Sequence, residues 1–406
     1  MKRLFNALFK PRGGPKAAKG SGISIEALTN GFEVDPSIRG FSHLPGGELV
    51  FAPGALSQLG QKARGLGCQR ALLVTDPGLR AVGHESRAIE YLEGAGLSVV
   101  VFDEVRENPT TKDVERAVRV AREGNVDLIV GLGGGSSMDT AKGCNFILTN
   151  GGEMKDYWGV GKASKPMLPL IAVPTTSGTG SECQSFALIA DEVTHMKMAC
   201  GDKKAAAKVS ILDPELTITQ PNSVTALTGI DAIAHSIETA VCKKRNAISS
   251  EYSRLAFHLL NSGFEQVLAD PANLEARAKM QLGAAYAGTA IENSMLGAAH
   301  STANPLSANF GTVHGQAVGT MLPSVIRWNS SDPEIEKIYQ SLAPGLDLRV
   351  EELLAKCGMD KTASELGVTS QNVAKLAEEA STQWTAQFNP VAIDSPSCEK
   401  IYEMAM

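Results

Sequence analysis

Asp127-Leu-Ile-Val-Gly-Leu-Gly-Gly-Gly-Ser-Ser-Met-Asp-Thr-Ala-Lys142 passes without a break from an apolar run, through three consecutive glycines, into a helix-forming segment. The run Asp127 to Gly131 shows no polar alternation, which is the pattern of a strand covered on both faces. Gly133, Gly134 and Gly135 then let backbone N–H groups approach an anion at the start of the following helix. A tight turn would use the same glycines. The segment matches neither G-x-G-x-x-G nor the Walker A pattern, so it lends no support to ATP binding.

Similar apolar runs flank it. Ala71 to Asp76, Leu97 to Phe102, Leu168 to Val173 and Val209 to Asp213 read as further buried strands, separated by stretches of helical spacing such as Thr111 to Glu123. Strands alternating with helices predict an open, parallel α/β sheet, whose ligands sit beyond the carboxyl ends of the strands. Leu168 to Val173 leads into Pro174-Thr-Thr-Ser-Gly-Thr-Gly-Ser-Glu182, a loop whose hydroxyls and backbone suit a phosphate or a nicotinamide, although such loops also serve as plain turns. Asp76 closes the first strand. A carboxylate there bonds a ribose diol and repels a 2'-phosphate, favouring NAD over NADP; an Asp-Pro-Gly turn would employ it equally well.

After Pro221 the strand signal fades and helical spacing takes over, in Asn222 to Lys243, Ser249 to Leu268 and Leu274 to Ile291. The expected organisation is an α/β, Rossmann-like nucleotide-binding unit over 46–220 followed by an all-helical unit over 221–406. In the second unit, Thr228-Gly-Ile-Asp-Ala-Ile-Ala-His235 sets Asp231 and His235 on one helix face. His300 and His314 follow in a stretch with no Lys or Arg between Lys279 and Arg327 and with Glu292 as its only acid. One carboxylate and three imidazoles suit a borderline divalent ion such as Fe2+ or Zn2+. Thr228-x-x-Asp231 also fits a helix capping box, and single histidines are commonly core residues.

The 406 residues are long for one core and comfortable for two. With 43% hydrophobic and 20% charged residues they describe a soluble globular chain, and a formal net charge of -6 offers nucleic acid no attraction. The seven scattered cysteines contain no C-x-x-C pair, pointing to a reducing, cytoplasmic setting. No apolar run approaches the ~20 residues of a membrane span. Residues 1–22 stand apart: Leu4, Phe5, Leu8 and Phe9 share one side of a short helix ahead of a Gly/Pro/Lys linker. Open readings are a terminal extension, a docking peptide for an assembly such as a bacterial microcompartment shell, a membrane-surface helix, or a targeting leader.

Taken in order, Gly133-Gly-Gly-Ser-x-x-Asp139-x-Ala-Lys142, Pro174-Thr-Thr-Ser-Gly-Thr-Gly-Ser-Glu182, Leu212-Asp-Pro-Glu-Leu216, Asp231-Ala-x-Ala-His235-x-x-Glu238 and His300-x13-His314-Gly resemble the iron-containing (group III) alcohol dehydrogenases, over roughly Gly46 to Met406. The resemblance implies a cleft between a nucleotide-binding unit and a helical metal-binding unit. It gives the metal-ligand roles to Asp231, His235, His300 and His314. It gives NAD contacts to Asp76, Asn108, Gly134, Gly135, Ser136, Asp139, Thr175, Thr176, Thr179, Lys197 and Leu216. The implied chemistry is hydride transfer between NAD(H) and an alcohol or aldehyde at the metal. Many members carry a further histidine four residues after the third ligand, where this chain has Asn304. An amide does not exchange protons near neutral pH, so Asn304 is expected to contact substrate while the proton leaves through water or the cofactor ribose. The cation-poor stretch favours small neutral alcohols. Alternatives of the same fold are a dehydroquinate-synthase-like lyase, which needs basic groups around an anionic substrate, and glycerol-type or maleylacetate-type dehydrogenases. A homodimer or larger oligomer is expected.

Overall fold

The computed structural model describes residues 47–194 and 196–406; the amphipathic segment and linker at 1–22 lie outside them. The chain begins with β1 (Glu48–Phe51), α1 (Leu59–Gly65), β2 (Arg70–Val74), α2 (Pro77–Ala81), α3 (His84–Gly94), β3 (Ser98–Phe102), α4 (Thr111–Glu123), β4 (Leu128–Gly133) and α5 (Gly135–Asn150). It continues with β5 (Gly159–Val160), β6 (Leu170–Pro174), β7 (Phe186–Ala190), β8 (Lys197–Gly201) and β9 (Val209–Leu212). Six of these strands pair in parallel in the order β1-β9-β6-β4-β2-β3.

Both faces of this sheet are covered. Leu72, Val74, Ile129 and Ala172 pack with Val114, Ala117, Ala141 and Cys144 of α4 and α5 on one side. Ala71, Leu73, Val130 and Ile171 pack with Leu59, Ala63, Ala88 and Leu92 of α1 and α3 on the other. Neighbouring residues of one strand thus enter different cores, which is why the runs are continuously apolar.

A second sheet, ordered β5-β8-β7 with β7 and β8 antiparallel, was not anticipated. Its strands keep exposed residues: Lys197 faces solvent and Leu188 is 38% exposed. The apolar run that marks a doubly covered strand is therefore missing.

The rest is helical: α6 (Asn222–Val241), α7 (Ala247–Ala269), α8 (Leu274–Asn293), α9 (Ala298–Phe310), α10 (His314–Asn329), α11 (Pro333–Leu342), α12 (Leu346–Lys356), α13 (Val373–Ser381) and α14 (Ser395–Ala405). Among the described residues no helix is long and apolar enough to cross a membrane. Helix α6 is buried on nearly every side, with Ile230, Ala232, Ile233, Ala234 and Ile237 fully enclosed. Such a helix lies inside its domain and carries whatever polar side chains it has into the interior. It begins at Asn222, so Thr228 stands mid-helix and bonds Val224 O at 2.8 Å. The capping-box reading of Thr228 and Asp231 is thereby overturned.

The loop after β6 joins the two halves. Gly180, at φ +60°, lies so close to α8 that a Cβ there would sit 2.6 Å from Ala284 O and from Gly288 Cα. Only glycine meets both demands.

Candidate metal centre and cofactor cleft

Asp231 and His235 project from α6, His300 from the first turn of α9 and His314 from the start of α10. They converge on a single atom. Asp231 Oδ1 lies 3.4 Å from His235 Nε2, 3.4 Å from His300 Nε2 and 3.6 Å from His314 Nε2. Two ligands each about 2.1 Å from a common ion in tetrahedral disposition are separated by about 3.4 Å. Asp231, His300 and His314 offer atoms that all fall within 4.8 Å of one another. His235 stands outside that trio yet holds the same distance to Asp231, its ring stacked 4.9 Å from that of His300.

The donor set fits a cation for a second reason. Asp231 Oδ1 and His300 Nε2 are buried without a hydrogen-bond partner, and an uncompensated carboxylate in such a place costs several kcal/mol. Burial works against charge on Asp231, but the surrounding imidazoles hold its carboxyl well below the usual carboxylate range. Burial pulls His314 down to about 3, leaving a neutral ring able to donate its lone pair. His314 is also the outermost member, with 40% of its side chain exposed against 6% for His300. The site opens on that side.

Glu238, one turn beyond His235, orients His300. Its Oε2 is bonded to His300 Nδ1, and its Oε1 accepts from Gly297 N at 3.2 Å and Ala299 N at 2.7 Å. One carboxylate thereby caps α9 and fixes the His300 ring with Nε2 toward Asp231. Burial alone would lower the His300 pKa; Glu238 and Asp231 outweigh it and push it up to about 10. The motif contained Glu238, yet no role was assigned to it; the signal was its spacing of seven from Asp231, which puts both on one face of α6.

Asn304 lies one turn beyond His300 on α9 and donates to Gln383 Oε1 at 3.1 Å. Ser301 bonds Thr385 Oγ1 at 2.9 Å, so the short turn Trp384–Phe388 and the residue before it lie along α9. Gln383 and Thr385 went unread because no periodic pattern marks that turn.

On the sheet side, β4 ends at Gly133, which pairs with Pro174 of β6. Helix α5 has no side-chain cap at its N-terminus, where Gly134, Gly135 and Ser136 lie. Such an end offers free N–H groups and a positive dipole end to an anion. A Cβ on Gly134 would come 3.2 Å from Thr176 Cγ2, and one on Gly135 2.7 Å from Thr179 Cγ2. Thr175 is buried and donates its N–H to Gly133 O at 3.0 Å. The two loops expected to hold the cofactor are therefore one surface.

Lys142 lies beneath that surface, and the half-buried Asp139 lies on the same helix. Lys142 is fully buried and donates from Nζ to Ser181 O at 2.6 Å, Ser181 Oγ at 2.9 Å and Phe186 O at 2.9 Å. Ser181 Oγ in turn donates to Asp139 at 3.2 Å. Burial pulls the Lys142 pKa down and pushes the Asp139 carboxyl up to about 6. The pair fastens α5 to the Pro174 loop.

The remaining expected contacts are dispersed. Asp76 caps α2, with Oδ1 accepting from Gly78 N at 2.9 Å and Leu79 N at 3.2 Å. Asn108 is exposed with φ +52° in the loop before α4. Leu216 is fully buried in the sheet core, which leaves only its backbone to meet a ligand. Lys197 opens β8, and its charge bears on both Asp139 and His314. A positive charge from outside the cation-poor stretch thus bears on His314.

A glycine loop on a parallel sheet, joined to a helical half with an aspartate and three imidazoles, marks an enzyme class built to hold a nucleotide and a metal ion. Residues 46–214 match the family model for iron-containing alcohol dehydrogenases, and residues 225–406 match that for the C-terminal part of the same family. Alcohol dehydrogenase 4 of Schizosaccharomyces pombe is 33% identical over 369 residues, covering 88% of this chain and 87% of that one. The NAD-dependent methanol dehydrogenase of Bacillus methanolicus is 31% identical, over 84% and 93% of the two chains. The crystal structure of a 1,3-propanediol oxidoreductase superposes with a TM-score of 0.85 at 31% identity, over 90% of this chain and all of that one. The chain belongs to the iron-containing alcohol dehydrogenase family. It is a metal-dependent alcohol dehydrogenase of the iron-containing kind.

Proposed function

We propose that this enzyme interconverts a small neutral alcohol and its aldehyde, with Asp231, His235, His300 and His314 holding the iron. The cofactor contacts proposed are Asp76, Asn108, Gly134, Gly135, Ser136, Asp139, Thr175, Thr176, Thr179 and Lys197, with the backbone of Leu216. The observation that carries the reading is the placement of three imidazole Nε2 atoms 3.4 to 3.6 Å from an unpartnered, buried Asp231 Oδ1.

A divalent ion held there would supply Lewis-acid polarisation of the substrate oxygen, and a bound nicotinamide would supply the hydride exchange. The rest falls to the protein. The uncapped start of α5 would hold the pyrophosphate, and the Pro174 loop, packed between α5 and α6, would line the nicotinamide. Helix α9 and the Trp384–Phe388 turn keep bulk water from that side. Asn304, held by Gln383, positions the substrate and moves no proton itself; the proton leaves through water or the ribose.

The test is direct. Enzyme reconstituted with Fe2+ under anaerobic conditions, given NADH and a panel of short aldehydes, should consume NADH at the nicotinamide absorbance band. Asp231→Ala should abolish both turnover and the rise in Tm on adding Fe2+. A metal-saturated enzyme inert toward every alcohol and aldehyde would end the reading. The charge of Lys197, which bears on His314, favours a second substrate class, aldehydes bearing an anionic group, so the panel should include one; preference for it, lost in Lys197→Ala, would select that class.

The boundary between the two units is proposed at residues 220 and 221, just before α6. From its sequence, the 1–22 segment is proposed to dock a cytoplasmic homodimer or larger oligomer onto an assembly such as a microcompartment shell. Deleting residues 1–20 should release the enzyme with activity intact; an unchanged location would end that idea.

A further inference from the structure

Strands β2 and β3 end side by side, with Val74 opposite Phe102 and Thr75 N bonded to Phe102 O at 2.9 Å. Asp76 and Asp103 consequently leave the sheet from adjacent strand ends, at the edge where a dinucleotide on the Gly133 loop would set its adenosine ribose. Helix α2, capped by Asp76, leans over that loop: a Cβ on Gly133 would come 3.2 Å from Leu79 Cδ1. The next residue, Arg80, is largely exposed, and its Nη1 lies 2.6 Å from Asp103 Oδ2. Nearby, Glu85 adds a carboxylate with a buried, unpartnered oxygen.

An ion pair this exposed contributes roughly 0–1 kcal/mol to folding, so stability is a poor reason for it. Its position is a better one. A guanidinium is the side chain best shaped to bind a phosphate, and a ribose 2'-phosphate is what distinguishes NADP from NAD. We propose that Asp103 is a cofactor-specificity residue: by holding the Arg80 guanidinium it withholds from a 2'-phosphate the cation that would bind it. Asp76 repels the same phosphate from the neighbouring strand end, so selection for NAD is imposed twice. The inference rests on the reading of the Gly133 loop as the dinucleotide site.

Calorimetric titration of the full-length protein with NADH and with NADPH, at low ionic strength, isolates the 2'-phosphate. In Asp103→Asn the ratio of NADPH to NADH affinity should rise roughly tenfold, about the worth of one charge-assisted hydrogen bond. Adding Arg80→Ala should return the ratio to that of the parent, and raising the salt should shrink the gain. An unchanged ratio in Asp103→Asn, with NADH still bound, overturns the proposal. So does a gain that survives Arg80→Ala, since removal of negative charge alone would then account for it. Failure of the unaltered protein to bind either nucleotide would instead bring down the dinucleotide reading, and this inference with it. Both residues sit at the surface, and a thermal melt of each variant confirms that the fold is kept.

Discussion

Gly178 and Thr228 touch: a Cβ on Gly178 would lie 2.5 Å from Thr228 Cβ and 3.0 Å from Thr228 O. The Pro174 loop thus rests on α6 less than one turn ahead of Asp231, and under the proposed assignment this contact of backbone against helix would set the distance between hydride carrier and metal.

Gly178→Ala should therefore separate the two. We expect kcat/KM to fall by ten- to a hundredfold, the size of effect produced by a displacement of about 1 Å at a reacting centre. All four proposed ligand side chains are kept, so iron should still bind, with a smaller loss of affinity where the shift disturbs the Gly178 backbone contact to His235. Metal analysis beside steady-state kinetics checks this; parent-like kinetics would mean the loop accommodates the methyl without moving.

Glu238→Gln keeps the size of the side chain but removes the charge facing His300 Nδ1. Loss of such a partner typically weakens metal binding ten- to a hundredfold. Competition against a chelator of known affinity measures it. If Glu238 serves only to cap α9, Tm would drop with no change in metal affinity.

Replacing Asn304 by histidine puts a titratable ring beside Gln383, one turn from His300. Asn304→His should add an inflection to the pH dependence of kcat/KM near the ordinary histidine value of ~6.5. Superimposable profiles for the two enzymes would place the proton route away from this position.

Burial raises the Glu182 carboxyl from 4.5 to about 7. The unfolded chain gives up this proton near pH 4.5 while the folded chain keeps it to about 7. Between those values the folded state binds more protons, so stability falls as pH rises. The loss approaches roughly 3 kcal/mol at about 1.4 kcal/mol per pH unit, and Glu182→Gln should remove it. Denaturant titrations of both proteins at pH 5 and pH 8 read the difference directly; equal losses in the two would show that other groups cause it.

The parallel sheet was legible because Leu72 and Leu73 enter different cores, and a strand covered on both faces writes an unbroken apolar run. Strands β7 and β8 were not, since residues such as Leu188 and Lys197 reach solvent and dilute that signal. At the metal centre, Asp231 and His235 could be paired by helical spacing, and the distant His300 and His314 were brought in by a neighbourhood poor in charge and by the family resemblance. What composition and spacing could not supply is the partner across the fold. Lys142 looked like an ordinary helix lysine, and its carbonyl partners Ser181 and Phe186 lie 39 and 44 residues away. Asp76 was read two ways, as a turn residue and as a ribose contact. Its Oδ1 does cap α2.

His314 alone among the four donors leaves much of its side chain in water, and it comes from a helix that supplies none of the others. Exchange of iron with the medium, and attack on it by peroxide, should both begin at that ring. Loss of iron on standing with a chelator should accordingly be slowed by any ligand that covers His314.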